Sequence, residues 1–216
     1  MKKYINYVLI LFIISIFLLS SVFGKDNLYL IGKTIVIDPG HGFLDPGTSY
    51  ENILEKDINL SISLYLKDKL ESLGATVYMT RDADYDLSSP NVMYRKKSDF
   101  DNRIKLINNS KADIYLSIHL NYLSDNKYYG PQVFYNDKNI YFANIMQNVL
   151  NKGLNSDRKI KTIPNNTYMY SKLKIGGLLI ECGFLSNYED RQKLIKSDYQ
   201  KKIANLISKG VIKYFS

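Results

Sequence analysis

The sequence predicts an α/β fold: a single domain with a mostly parallel, twisted sheet and helices on both faces. Three observations lead there. Short β-branched apolar runs alternate along the chain with longer amphipathic ones. Some short runs, such as "GGLLIE" at 176 to 181, are apolar until their last residue, as strands covered on both faces are. The 216 residues suffice for one well-buried core and a tail.

The tail comes first. Lys2 and Lys3 precede "YVLILFIISIFLLSSVF" (7 to 23), which carries no charge. Residues 1–24 read as a signal peptide or a membrane anchor. The run is about long enough to cross a bilayer, and Val22-Phe23-Gly24 is only a passable cleavage site. An uncleaved anchor is therefore expected, with its lysines inside and residues 25 to 216 exported, facing outwards. Residues 25–33 form a linker, and 34–216 the domain.

Within the domain, "TIVID" (34 to 38) is a strand halted by Pro39-Gly40. "EKDINLSISLYLKDKLESLG" (55 to 74) is an amphipathic helix with Ile58, Ile62, Leu66, Leu70 and Leu73 on one face and Gly74 as its stop. "TVYMT" (76 to 80) is a strand. Residues 82 to 98 are polar and read as a surface excursion. "DFDNRIKLINN" (99 to 109) is a helix, and "IYLSIHLN" a strand after it. "GPQVFY" (130 to 135) makes a strand, "NIYFANIMQNVLNKGL" (139 to 154) a helix, and "GGLLIE" the last buried strand. "SDYQKKIANLISKGVIKYF" (197 to 215) closes the chain as a helix.

Twenty-nine Lys and Arg against 21 Asp and Glu give a formal charge of +8. Such an excess solvates the surface or draws the protein to an anionic polymer or membrane. Nucleic acid is excluded as a partner, because an exported domain rarely meets it and no stacking or helix-turn-helix signature is present. Cys182 is the only cysteine, so the chain has no internal disulfide. With no histidine to spare beside it, Cys182 reads as a small buried thiol, not a nucleophile.

The chain has two histidines. His41 follows the end of the first strand and His119 stands at the end of another. Ligands of parallel α/β sheets bind outside the carboxyl ends of the strands, so both belong on one rim. Two histidines there suggest a metal, and a catalytic zinc takes a third ligand while leaving a position for water. Glu55 falls on the helix stripe that faces the sheet, where a carboxylate is costly unless paired or bound to a metal; an ordinary first-turn Glu favouring the helix dipole fits it equally. Glu51 and Asp57 are its rivals, one in a loop and one turned off the stripe. Glu181 ends a buried strand, where desolvation would raise its pKa towards the range of a general base.

The runs "TIVIDPGHGFLDPG", "LEKDINLSISLYLKDKLESLGATVYMTRD", "DNRIKLINNSKADIYLSIHLN" and "GGLLIECGFLSNYED" together resemble the zinc-dependent N-acetylmuramoyl-L-alanine amidases, collinearly from Thr34 onwards. The resemblance implies that His41, Glu55 and His119 bind one zinc ion and that Glu181 is the catalytic carboxylate. It also implies an α/β fold. It places Asn121 near the substrate, although a loop hydrogen bond would explain that residue as well. Arg103 also matches a family position; a salt bridge within its helix is the plainer reading. The chain departs from the family at Phe43, where a glycine is frequent, and at Leu120, where alanine is. The segment from Thr80 to Tyr135 is similar to the germination-specific sporulation branch (CwlD-type). That likeness implies spore-cortex peptidoglycan as substrate and a product ready for conversion to muramic-δ-lactam by another enzyme.

Two other functions fit the same residues. A non-catalytic peptidoglycan-binding module would be expected to lack a ligand or the glutamate, and here all four are present. A zinc peptidase cutting within the stem peptide would share the rim and differ only in product. An activating or regulatory protein partner is also expected, although no motif identifies one.

Overall fold

The apolar runs pair much as their composition suggests. The computed structural model describes residues 28–216, and the stretch read as an anchor lies outside them. Among the described residues no helix is long and apolar enough to cross a membrane. Strand β1 (Thr34–Pro39) is followed by a two-residue hairpin, β2 (Ser49–Tyr50) and β3 (Ile53–Leu54), which feeds helix α1 (Glu55–Ser72). Then come β4 (Thr76–Met79), α2 (Arg95–Asn109), β5 (Ile114–Asn121), β6 (Gln132–Tyr135), α3 (Ile140–Leu154), β7 (Lys161–Thr162), β8 (Gly177–Phe184), α4 (Tyr188–Leu194) and α5 (Ser197–Phe215).

The main sheet has the order β4-β1-β5-β8-β6-β7. Its first four strands are mutually parallel; β6 runs antiparallel to β8 and carries β7 parallel to itself. The carboxyl ends of β1, β5 and β8 therefore lie side by side.

The two faces of the sheet are covered unequally. Ile35 and Ile37 of β1, Ile114, Leu116 and Ile118 of β5, and Leu178 and Ile180 of β8 point into the larger core, under α1, α3 and α5. All five residues of the α1 stripe are buried in it, and Cys182 joins it. At about 25 cal/mol per Å² of buried apolar surface, this layer is the main source of stability. The alternate residues face α2, where Val36, Tyr115, Ile107 and Met169 form a smaller cluster. On that thinner side the strands also carry Asp38, Ser117, His119 and Glu181.

Several local features depart from the expected pattern. Leu30, in the stretch read as linker, is fully buried and its N–H bonds the Leu73 carbonyl. Helix α2 begins at Arg95, before the expected Asp99. Helix α4 was not foreseen, although Asn187 caps it by accepting the Asp190 N–H at 3.0 Å, a signal written in "NYED". The β2–β3 hairpin and β7 have two residues per strand, too few to show a period.

Candidate active site

At the carboxyl end of the sheet, three donor residues converge. His41 comes from the loop after β1, His119 from β5, and Glu55 from the first turn of α1. Glu55 Oε1 lies 3.1 Å from His41 Nε2 and 3.0 Å from His119 Nδ1. The two imidazoles meet edge to face, with centroids 5.0 Å apart. Glu55 thus arrives from the helix layer of the larger core and reaches over the end of the sheet to side chains of the opposite face. Its rivals are elsewhere: Glu51 is exposed at the hairpin tip and Asp57 is exposed on α1.

Each member is held from behind. Glu55 is 2% exposed; Oε2 accepts from the Thr48 N–H and hydroxyl, and Oε1 from Asn59 Nδ2 and the Leu120 N–H. His41 Nδ1 lies 3.0 Å from Asp45 Oδ2. His41 sits in the left-handed region, φ 65°, which a residue with a Cβ adopts only under constraint. Part of that constraint is Arg103, whose Nη2 donates to the His41 carbonyl at 2.6 Å. Behind His119, Nε2 stands 3.5 Å from the Tyr170 hydroxyl, itself 3.0 Å from Ser117 Oγ, which donates to Asp38 Oδ2.

Two glycines make room for this cluster. A Cβ on Gly40 would lie 2.2–2.6 Å from atoms of the His119 ring, and one on Gly47, at φ +70°, 2.6 Å from Glu55 Oε2. Gly40→Ala should therefore force His119 out of place and weaken metal binding by about 10- to 100-fold, the range for disturbed ligand orientation. Chelator competition measures it, and an unchanged affinity would show that the ring has room.

Arg103 does more than form a helix salt bridge. Its guanidinium, 1% exposed, binds Asp99 one turn away, as expected, and also Asp38 Oδ1 and the Pro39 carbonyl. Arg81 is also fully buried and donates to the carbonyls of Pro39, Gly40 and Lys56. The sequence reading missed Arg81, Asp38 and Tyr170, whose partners are distant in the chain, and also Asp45 and Asn59, which stand four residues from His41 and Glu55 and at a spacing that ordinary loop and helix residues share.

Glu181 is the β8 residue in register with His119, so their side chains share a face. Its Oε2 is sealed from solvent without a hydrogen-bond partner. Burial, with the Glu55 carboxylate nearby, pushes its pKa up to about 8, against an opposing pull from His41. The group of donor atoms within 4.8 Å of one another comprises His41, Glu55 and His119 and leaves Glu181 out. Asn121 lies past a bulge at the end of β5. It is partly exposed, and its backbone carbonyl accepts from the Leu185 N–H.

The donor set suits a metal ion. Burial alone would raise Glu55, but hydrogen bonds from His119 and His41 outweigh it and hold the carboxylate far below its ordinary range. Burial would lower His41, but Asp45 and Glu55 raise it to about 9. Two imidazoles and one carboxylate form a known three-ligand set, and donors bound at about 2.0–2.1 Å in a tetrahedron stand about 3.3 Å apart, close to the separations found here. Burial pushes the Cys182 thiol pKa up, which makes it unreactive.

Comparison with known proteins places this geometry. A family model for N-acetylmuramoyl-L-alanine amidase matches residues 35–213. The germination-specific N-acetylmuramoyl-L-alanine amidase of Bacillus subtilis is 40% identical over 218 residues, with 95% of this chain and 92% of that protein covered. The structure of the CwlD amidase from Clostridioides difficile, in complex with the GerS lipoprotein, superposes with a TM-score of 0.81 at 36% identity, covering 85% of this chain and 98% of that one. The catalytic domain of the amidase CwlV from Bacillus (Paenibacillus) polymyxa gives 0.74 at 28% identity, covering 84% and 97%. With four parallel strands ending at a His–Glu–His pole and a buried carboxylate beside it, the chain belongs to the N-acetylmuramoyl-L-alanine amidase family.

Proposed function

We propose that this protein is a zinc-dependent hydrolase of the amide bond between N-acetylmuramic acid and L-alanine, acting on spore-cortex peptidoglycan. The observation that carries the proposal is the convergence of His41, Glu55 and His119 beside a carboxylate, Glu181, that stays outside the donor set. The germination-specific relative supports the cortex as the setting. Residues 1–24 hold the enzyme at the outer face of the membrane, and 34–216 form its catalytic domain. Because the similar CwlD amidase is in complex with a lipoprotein, a protein partner for this chain is part of the proposal.

A zinc ion on His41, Glu55 and His119 supplies a Lewis acid and lowers the pKa of water. Glu181 accepts the proton of the attacking water and delivers it to the departing amine nitrogen of L-alanine. Its unpartnered Oε2 suits both transfers. Asp45 orients His41, and Thr48, Asn59 and the Leu120 N–H orient Glu55, so neither ligand has to rearrange. Asn121, at the rim, contacts the substrate.

The test is to incubate the purified full chain with cortex peptidoglycan, with and without zinc and chelator, and to read the products by mass spectrometry. New L-alanine amino termini with peptide-free muramic acid, lost on chelation, are expected. Cuts inside the peptide would make the chain a peptidase on the same scaffold. Uncut wall despite bound zinc would leave a binding module.

Metal affinity should depend on pH with a definite sign. His41 is raised in the metal-free fold, so its proton stabilises that fold fully below about pH 6.5 and ceases to do so as pH rises through about 9. A cation needs the neutral ring and must displace this proton. Zinc affinity should then rise about tenfold per pH unit between about pH 6 and 8. A flat profile in competition titrations would remove His41 from the ligand set.

A further inference from the structure

Across the sheet from Glu181, in register on β6, stands Gln132. Paired residues share a face, with Cβ atoms about 5 Å apart. Gln132 is 2% exposed, and its carboxamide is held at both ends. Nε2 donates to the Lys159 carbonyl, and Oε1 accepts from Arg158 Nη2, each at 2.7 Å. These bonds draw the segment before β7 against the rim of the active site, where a groove of about 520 Å³ opens.

The groove is cationic. Arg158, Lys159 and Lys161 line it against a single acid, Asp157. The Arg158 guanidinium lies against the rings of both Tyr128 and Phe184, at 5.4 and 5.1 Å, and its Nε is sealed from water without a partner. Lys159 and Lys161 are exposed, and among the described residues neither ammonium forms an ion pair or hydrogen bond. Among the described residues, two cavities on the other side of the pole differ from this groove in charge. Beyond β1, a groove of about 430 Å³ carries Asp84 and Asp86 against Arg95, and both acids are already paired, with Lys56 and Arg95. Over β1 and β5, the cavity beside the histidines is closed by Phe100, Tyr168 and Tyr170, and its Arg103 is committed to Asp38.

We infer that the Arg158–Lys159–Lys161 groove is a subsite for a carboxylate on the peptide arm of the substrate, one side chain removed from Glu181. The inference rests on the amidase reading: the amine that leaves is the N-terminus of a peptide, and in this groove that arm meets an arginine held in place by Gln132 and two lysines outside any ion pair among the described residues. Arg158, held against the two rings and by Gln132, fixes the carboxylate's position, and the two lysines supply attraction. An amidated, neutral arm is the poorer ligand.

The test measures binding apart from cleavage. The full chain, in detergent, is titrated calorimetrically with an L-alanyl-D-glutamyl peptide and with the same peptide in amide form. The acid should bind about tenfold more tightly, the scale of a few partly exposed ion pairs, and added salt should erase the difference. Arg158→Gln should bring the ratio to about one. Because Arg158 also secures Gln132, the double variant Lys159→Gln, Lys161→Gln provides a second test at exposed positions and should lower the ratio severalfold. Equal binding of acid and amide, or no binding of either, overturns the subsite, as does an unchanged ratio in both variants. Preference for the acid by a chain that cleaves no muramyl amide would keep the subsite and overturn the amidase reading.

Discussion

Glu181→Gln should lower kcat by about a thousandfold while the protein keeps its full complement of zinc. The magnitude is that of a lost general acid–base, for which factors of about 10² to 10⁴ are usual. The direction follows from geometry. Glu181 is in register with His119 but outside the donor group, so its loss removes a proton carrier and leaves the ligands intact. Glutamine keeps the shape and cannot accept the proton of water. Metal analysis and steady-state rates on one preparation settle the matter. Loss of zinc together with activity would make Glu181 a fourth ligand and the site structural. A rate within about tenfold of wild type would remove it from the proton transfer altogether. His41→Ala and His119→Ala should behave in the opposite way, losing metal and activity together.

The largest effect on stability is expected at Arg103. Arg103→Met leaves two buried carboxylates, Asp38 and Asp99, without their shared cation, and breaking such a pair from one side costs about 3–5 kcal/mol. For a domain of this size that is a fall of about 10 °C in Tm. The pH dependence carries a sign. Burial alone would raise the Asp38 carboxyl, but Arg103, with hydrogen bonds from Thr80 and Ser117, outweighs it and lowers its pKa. In the wild type, the stability this contributes is present above the ordinary carboxylate pKa of 3.8 and is lost as pH falls through the depressed value. Without Arg103, the largest influence opposing burial is gone and the hydrogen bonds from Thr80 and Ser117 remain, so Asp38 can take up a proton at a higher pH and relieve the buried charge. The deficit of the variant should therefore be greater at pH 7 than at about pH 4. A deficit below about 1 kcal/mol, or one that grows in acid, would mean that water reaches this network. Zinc affinity should fall as well, because the same guanidinium holds the His41 carbonyl.

Much of the fold was legible because its signals are local. β-Branched runs ended by Pro39-Gly40, and the spacing of Ile58, Ile62, Leu66 and Leu70, depend on neighbours a few residues away, and the elements they predict are present. The same holds for "SDYQKKIANLISKGVIKYF", which forms a helix over Ser197–Phe215. Placing His41 and His119 on one rim required only that parallel strands share a direction. Glu55 stood out because its stripe is otherwise apolar, although that alone left a first-turn helix role open.

What the sequence by itself determined is the alternation of strands and helices, the rim on which the ionisable residues lie, and the family to which its motifs point. The tertiary structure decided which residues hold them. Arg103 lies 65 residues from Asp38 and Ser117 lies 79 from it, and nothing within a local window marks Arg81 as buried. The pairing of Gln132 with Glu181, which brings Arg158 to the rim, follows from β6 running antiparallel beside β8. The physical reason is the range of the interactions: hydrophobic periodicity is written along a few turns of chain, whereas a buried charge is tolerated only where distant segments bring its partners to it.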